Sequence, residues 1–166
     1  FPLTESQKRS LWETAKDMGR NFPMHRLLQG DVGSGKTIVA ALAAALGAQK
    51  GLQIALMAPT EILARQHYMN FVKLFDKCEF GIALLTAGSA RASYGAGLET
   101  EMQKKSLLSE IKNGKIKIVI GTHALLEKKS SFKNLALAIV DEQHRFGVAQ
   151  RAKLLTPETT KECTPH

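Results

Sequence analysis

The sequence predicts an α/β domain: a mostly parallel sheet with helices on both faces. Short apolar runs at 53–58, 80–86, 116–120 and 135–140 alternate with amphipathic or Ala/Leu-rich stretches of helical length. Parallel strands need such crossovers, and a helix is the usual one. The residues able to do chemistry also follow the apolar runs directly: Pro59-Thr60, Gly121-Thr122-His123 and Asp141-Glu142. In open parallel sheets ligands collect at those carboxyl ends. Finally, 166 residues with 44% hydrophobic and 23% charged side chains suffice for one full core and no internal repeat is present.

The elements follow in order. Thr4-Glu5-Ser6-Gln7 has the form of a capping box and opens a helix over 4–18, with Leu11, Ala15 and Met18 on one face. Residues 25–29 are apolar enough for a first strand. A helix over 36–50, closed by Gly51, precedes the strand 53–58, which Pro59 stops. A helix over 61–75 is expected to turn Ile62, Leu63, Phe71 and Leu74 inward. After the strand 80–86, the Gly/Ser/Ala-rich stretch 87–97 reads as a mobile loop. A helix over 98–112, ending at Asn113-Gly114, leads to the strands 116–120 and 135–140.

Between the first strand and its helix lies Gly30-Asp31-Val32-Gly33-Ser34-Gly35-Lys36-Thr37, which satisfies G-x-x-x-x-G-K-[ST] at each fixed position. A phosphate chain approaching a backbone this closely needs bare N–H groups. Gly30, Gly33 and Gly35 offer that clearance and permit positive φ, Ser34 sits among them, and the helix that follows adds its own N–H groups and dipole. Lys36 is expected on the β/γ-phosphates, and the Thr37 hydroxyl in the Mg²⁺ shell. The bland alternative is a glycine-rich turn before a helix.

Asp141-Glu142 supplies the second half of such a site. A carboxylate at a strand end holds Mg²⁺, and its neighbour polarises the attacking water. By itself an Asp-Glu after a strand is an ordinary loop start; the glycine-rich loop upstream gives it meaning.

The charge of +8 makes a polyanionic partner plausible without requiring one. Cys78 and Cys163 stand far apart with no CxxC, which suits a reducing compartment. No apolar run approaches the ~20 residues of a membrane span, so a cytoplasmic, membrane-free protein is expected. The start on Phe1 suggests a piece of something longer.

Asp141-Glu142-Gln143-His144 also spells the D-E-x-H box of superfamily 2 helicases. Together with Leu28–Thr37, Ala58-Pro59-Thr60-Glu61-Ile62-Leu63-Ala64, Gly121-Thr122-His123-Ala124-Leu125 and Asp141–Val148, the chain resembles the first helicase lobe of the RecG family of bacterial ATP-dependent DNA helicases. Phe1-Pro2-Leu3-Thr4-Glu5-Ser6-Gln7 is similar to the start of the same lobe. The resemblance spans nearly the whole chain, and the related transcription-repair coupling translocase has a similar lobe.

The resemblance implies a three-layer RecA-like P-loop NTPase fold, ATP and Mg²⁺ as cofactors, and branched or forked DNA as partner in repair and recombination. Lys36, Asp141 and Glu142 are then catalytic, with Thr37 and Asp141 on the metal. Gln7 matches the residue that reads adenine, although the same side chain fits the helix cap. Pro59, Thr60, Gly121, Thr122 and His123 match loops that touch the sugar-phosphate backbone, or are plain strand ends. Gln143 and His144 match positions coupling the nucleotide site to DNA, His144 alternatively serving a local hydrogen bond. Ala87-Gly88-Ser89 departs from the family's short glycine motif, and the segment 87–103 is longer than in typical relatives. The resemblance further implies a second helicase lobe and a wedge domain in cis, a monomer, and little activity of this lobe alone. Outside the helicases, a P-loop ATPase acting on other cargo and a nucleotide-binding module without turnover remain alternatives.

Overall fold

The computed structural model describes residues 2–95, 98–122, 125, 132–141 and 166. Within them lie helices α1 (Glu5–Met18), α2 (Lys36–Gln49), α3 (Glu61–Leu74) and α4 (Lys104–Lys112), and strands β1 (Gln53–Met57), β2 (Gly81–Leu85), β3 (Ala90–Ser93), β4 (Glu99–Glu101), β5 (Ile116–Gly121) and β6 (Leu135–Val140). The sheet runs β4-β3-β2-β5-β1-β6. Its core, β2, β5, β1 and β6, is parallel throughout.

Alternate residues of the parallel strands build two apolar layers, as the period of two in a strand dictates. Ile54, Leu56, Ile82, Leu84, Ile118, Ile120 and Leu137 meet α2 and α3 on one face, with Leu11 and Met18 of α1 packed against them. Ala55, Met57, Ala83, Leu85 and Val119 meet Leu107 and Ile111 of α4 on the other. Helices therefore cover both faces, as expected.

Strand β1 begins at a polar anchor. Gln53 is only 1% exposed, yet its side chain is fully engaged. Nε2 donates to the carbonyls of Ile111 and Ile116, both at 2.8 Å. Oε1 accepts from the backbone N–H of Lys133 at 2.7 Å and of Asn134 at 2.9 Å. One buried amide thus joins the end of α4, the start of β5 and the approach to β6.

Four expectations are corrected. The stretch 25–29 is not a strand: at the outer edge of β6 the backbone partner is His166, which bonds to Ala136 and Ala138, while its Nδ1 accepts from the N–H of Met24. Arg26 instead ties this stretch to α1 through Glu13 and Asp17. The Arg26 hydrogen bond holds the Asp17 carboxyl below its usual range, and hydrogen bonds from Arg9 and then Arg26 do the same for Glu13.

The second concerns 87–97, which contains β3 rather than only a loop. Thr86 and Ser89 close a tight turn, with the Thr86 N–H donating to the Ser89 carbonyl at 2.9 Å and the Ser89 N–H donating to Thr86 Oγ1 at 3.0 Å. Strand β3 then runs antiparallel to β2. Third, the helix expected over 98–112 starts later, because Glu99–Glu101 pairs with β3 as β4. An edge strand so polar is a recognised way to end a sheet.

Fourth, α3 turns Ala64, Tyr68 and Phe71 inward, with Leu63 partly buried beside them. Ile62 is 80% exposed and Leu74 is also exposed. At 3.6 residues per turn, Ile62 lies nearly opposite Ala64, so it cannot share that stripe.

Candidate nucleotide and DNA site

The glycine-rich loop leads into α2 with the conformation that its sequence requires. Gly33 and Gly35 have φ of 82° and 83°, in the left-handed region. Gly35 is the N-cap of α2. A Cβ there would also lie 2.3 Å from Gln7 Nε2, so a side chain at 35 would displace the Gln7 amide from the loop, while the φ itself calls for glycine. Gly30 does not use the positive φ open to it; a Cβ there would lie 2.8 Å from Ser34 Oγ, so its bareness gives clearance inside the loop.

Lys36 folds back over the loop. Its Nζ donates to the carbonyl oxygens of Gly30 at 2.7 Å and Asp31 at 2.8 Å. The ammonium is thereby held at the mouth of the loop, beside the exposed Gly33 and Ser34 and the first turn of α2 where Thr37 is exposed. Phosphate oxygens are stronger partners for an ammonium than neutral carbonyls.

Gln7 does two jobs at once. With Thr4 it forms the expected capping box: Thr4 N–H donates to Gln7 Oε1 at 3.0 Å, and Gln7 N–H donates to Thr4 Oγ1 at 3.3 Å. Its Nε2 then donates to the Ser34 carbonyl at 2.9 Å, tying α1 to the phosphate loop. A side-chain amide has two donor hydrogens and two acceptor lone pairs. Each group retains one further hydrogen-bonding capacity beyond these contacts.

Register brings the strand-end residues into one row. Met57 pairs with Gly121 on one side and Val140 on the other. Beyond that row, the Ala58 N–H donates to the Gly121 carbonyl at 2.8 Å and the Asp141 N–H to the Met57 carbonyl at 2.9 Å. Pro59-Thr60, Gly121-Thr122 and Asp141 therefore share one edge of the sheet. Gly121 is obligatory there: a Cβ would stand 2.0 Å from the Leu85 carbonyl oxygen.

The individual side chains differ in what they offer. Thr60 caps α3, its Oγ1 accepting from the Leu63 N–H at 3.2 Å. Thr122 is 3% exposed, with its hydroxyl buried and unpartnered among the described residues. Glu61 reaches across to the β2–β3 turn, accepting from the Gly88 N–H at 3.1 Å. Asp141 meets His67 of α3, with Nε2 and Oδ2 2.7 Å apart.

His67 was not anticipated. The signal was present, because 67 falls between Leu63 and Phe71 on the inward stripe of α3, where an ionisable residue is out of place. His123, Glu142, Gln143 and His144 lie outside the described residues.

The pattern of the DEAD/DEAH box helicase family matches residues 4–160. The chain belongs to that family. The chain is 48% identical, over its whole length, to the ATP-dependent DNA helicase RecG of Aquifex aeolicus, and covers 19% of that protein. It is 50% identical to RecG of Bacillus subtilis, over 93% of the chain and 21% of the relative. It also matches a solved structure of RecG bound to a three-way DNA junction, with 48% identity and a TM-score of 0.76, over 89% of this chain and 19% of that one. The chain thus spans about a fifth of the length of the curated relatives it matches.

No helix among the described residues is long and apolar enough to cross a membrane.

Proposed function

We propose that this chain is the ATP-binding first lobe of a DNA helicase that remodels branched DNA in repair and recombination. One observation carries the reading: the loop with left-handed Gly33 and Gly35 and the folded-back Lys36 precedes a sheet whose edge gathers Asp141, Thr60 and Thr122. The similarity to RecG, one structure of which is bound to a three-way DNA junction, supports branched DNA as the partner.

In this reading Lys36 and the N–H groups of Gly33–Thr37 hold the phosphates. Gln7 uses its remaining donor and acceptor on adenine, a base that pairs well with an amide. The chemistry of the donor set suits Mg²⁺. Asp141 and Thr37 are hard oxygen donors, and no cluster of three or more His, Cys, Asp or Glu suited to a metal occurs among the described residues. Mg²⁺ is normally held by one or two carboxylates together with substrate phosphates rather than by a protein cage. Bound there, it would neutralise phosphate charge. Glu142 polarises the attacking water, while Gln143 and His144 couple the nucleotide to DNA. The loops at Pro59-Thr60 and Gly121-Thr122-His123 contact the sugar-phosphate backbone without reading bases.

A second helicase lobe and a wedge domain act in cis in a cytoplasmic, monomeric protein. The second lobe supplies the arginine that stabilises the transition state.

Steady-state phosphate release, with and without a forked duplex, tests this in the full-length protein. Stimulation by DNA is expected, with loss of turnover on the order of 10²–10⁴-fold in Glu142→Gln while ATP affinity holds. The lobe alone should show little stimulation, since an arginine supplied from outside is worth about 10³–10⁵ in rate. Equal stimulated rates from the lobe and the full-length protein would overturn this division of labour.

A further inference from the structure

Between the sheet edge and α3 a histidine meets the strand-end carboxylate. His67 and Asp141 are 74 residues apart in sequence and 2.7 Å apart in space. The His67 side chain is 12% exposed and that of Asp141 38%. A carboxylate only accepts hydrogen bonds, so Nε2 carries the proton between them. His67 Nδ1 is buried with no partner among the described residues. The ring is thus oriented by its contact with Asp141, the one partner of its nitrogens among the described residues.

The backbone of Asp141 is already held by its N–H bond to the Met57 carbonyl. His67 holds Oδ2 and so takes part in setting the rotation of the carboxylate. Metal-ligating carboxylates characteristically receive such a second bond, and its loss lowers metal affinity.

Helix α3 makes the contact more than local. Its N-cap is Thr60, in the loop proposed to touch DNA. His67 stands two turns further along, about 10 Å at the helical rise. The helix is packed on the sheet through Ala64, Tyr68 and Phe71, which flank His67. Thr60 and His67 therefore sit on one packed helix, and His67 on that helix meets the carboxylate.

We propose that His67 is a positioning residue for the Mg²⁺ of the nucleotide site, acting through Asp141, and that α3 links this carboxylate to the Thr60 loop. The proposal rests on the reading of Asp141 as a metal ligand.

The test measures ADP binding by calorimetry in the full-length protein across a Mg²⁺ series and in EDTA. In His67→Leu, the Mg²⁺ concentration needed for half-maximal tightening of ADP should rise about 10- to 100-fold, while ADP affinity in EDTA stays unchanged. His67→Gln, which keeps a donor, should recover much of the loss. The double variant His67→Leu/Asp141→Asn should match Asp141→Asn alone, because His67 acts only through that carboxylate.

An unchanged Mg²⁺ midpoint in His67→Leu, alongside a shifted one in Asp141→Asn, overturns the role of His67 and leaves the site reading intact. No shift in Asp141→Asn itself overturns the reading of Asp141 as a ligand. Equal weakening of ADP in Mg²⁺ and in EDTA marks a merely structural histidine and also overturns the proposal. Should His67→Leu not fold, His67→Asn, too short to reach Asp141, takes its place with the same outcomes. The link to DNA is read separately: stimulation of phosphate release by a forked duplex should fall more in His67→Leu than in His67→Gln, and an equal fall in both argues against a link through this bond.

Discussion

Gln7 and Ser34, 27 residues apart, are joined by a hydrogen bond from the side-chain amide of the first to the backbone carbonyl of the second at 2.9 Å. The same amide completes the cap of α1. Helix stability and the shape of the phosphate loop therefore depend on one side chain, and two substitutions separate them. Gln7→Ala loses both and should cost about 1 kcal/mol in urea unfolding. Gln7→Glu can still accept from Thr4 but can no longer donate to Ser34. It should hold most of its stability while adenine-nucleotide affinity falls on the order of tenfold; unchanged affinity in both variants would remove Gln7 from the site.

Lys36 is held by two loop carbonyls, so its removal affects the loop before any nucleotide arrives. Lys36→Ala should weaken ADP by about 1.5–3 kcal/mol, the range of a charge-assisted contact. Calorimetric titration reads this directly. A Kd equal to that of the parent protein would place the phosphates elsewhere.

Two glycines predict different costs for the same added methyl group. At Gly121 a Cβ meets the Leu85 carbonyl at 2.0 Å, against a backbone that cannot step aside. Gly121→Ala should destabilise by about 3 kcal/mol or more and distort the strand edge. At Gly33 a Cβ meets open space, and only the φ of +82° opposes it. Gly33→Ala should therefore cost about 1–2 kcal/mol. Denaturant unfolding of the pair gives the order, and a larger loss at Gly33 would contradict it.

Gln53 engages four backbone groups, two of them buried carbonyls and two of them part-buried N–H groups. Gln53→Leu matches its bulk but removes the acceptor for the Lys133 and Asn134 N–H groups and a donor to the Ile111 and Ile116 carbonyls, of which Ile111 keeps the Gly114 N–H; it should cost about 2–4 kcal/mol. The loss should appear as a lower Tm, with faster amide exchange at Lys133 and Asn134. Retained protection at those two amides would mean that other partners satisfy them.

Much of this molecule was readable from local pattern. The parallel strands are short apolar runs buried on both faces, which need no partner to be recognised. Two helix starts, those of α1 and α3, are set by side chains three residues from what they cap, Thr4 with Gln7 and Thr60 with Leu63. The phosphate loop is a contiguous string whose glycines carry their own conformational demand at 33 and 35. Each of these signals acts over a few residues, so the chain order contains it.

Other features depended on which segments came to lie side by side. Ala90–Ser93 and Glu99–Glu101 have no apolar signature of their own; they are strands because the edge of β2 offered unpaired backbone groups to the chain turning back at Thr86–Ser89. Residues 25–29 have strand composition but no ladder among the described residues, since the partner on the outer edge of β6 is His166. Ile62 looked apolar enough to face inward, and the helical phase set by Ala64, Tyr68 and Phe71 sent it out. The meeting of His67 with Asp141 required α3 to pack across the sheet and β6 to end beside β1. Contacts across such distances in sequence are selected by packing, and no local pattern encodes them.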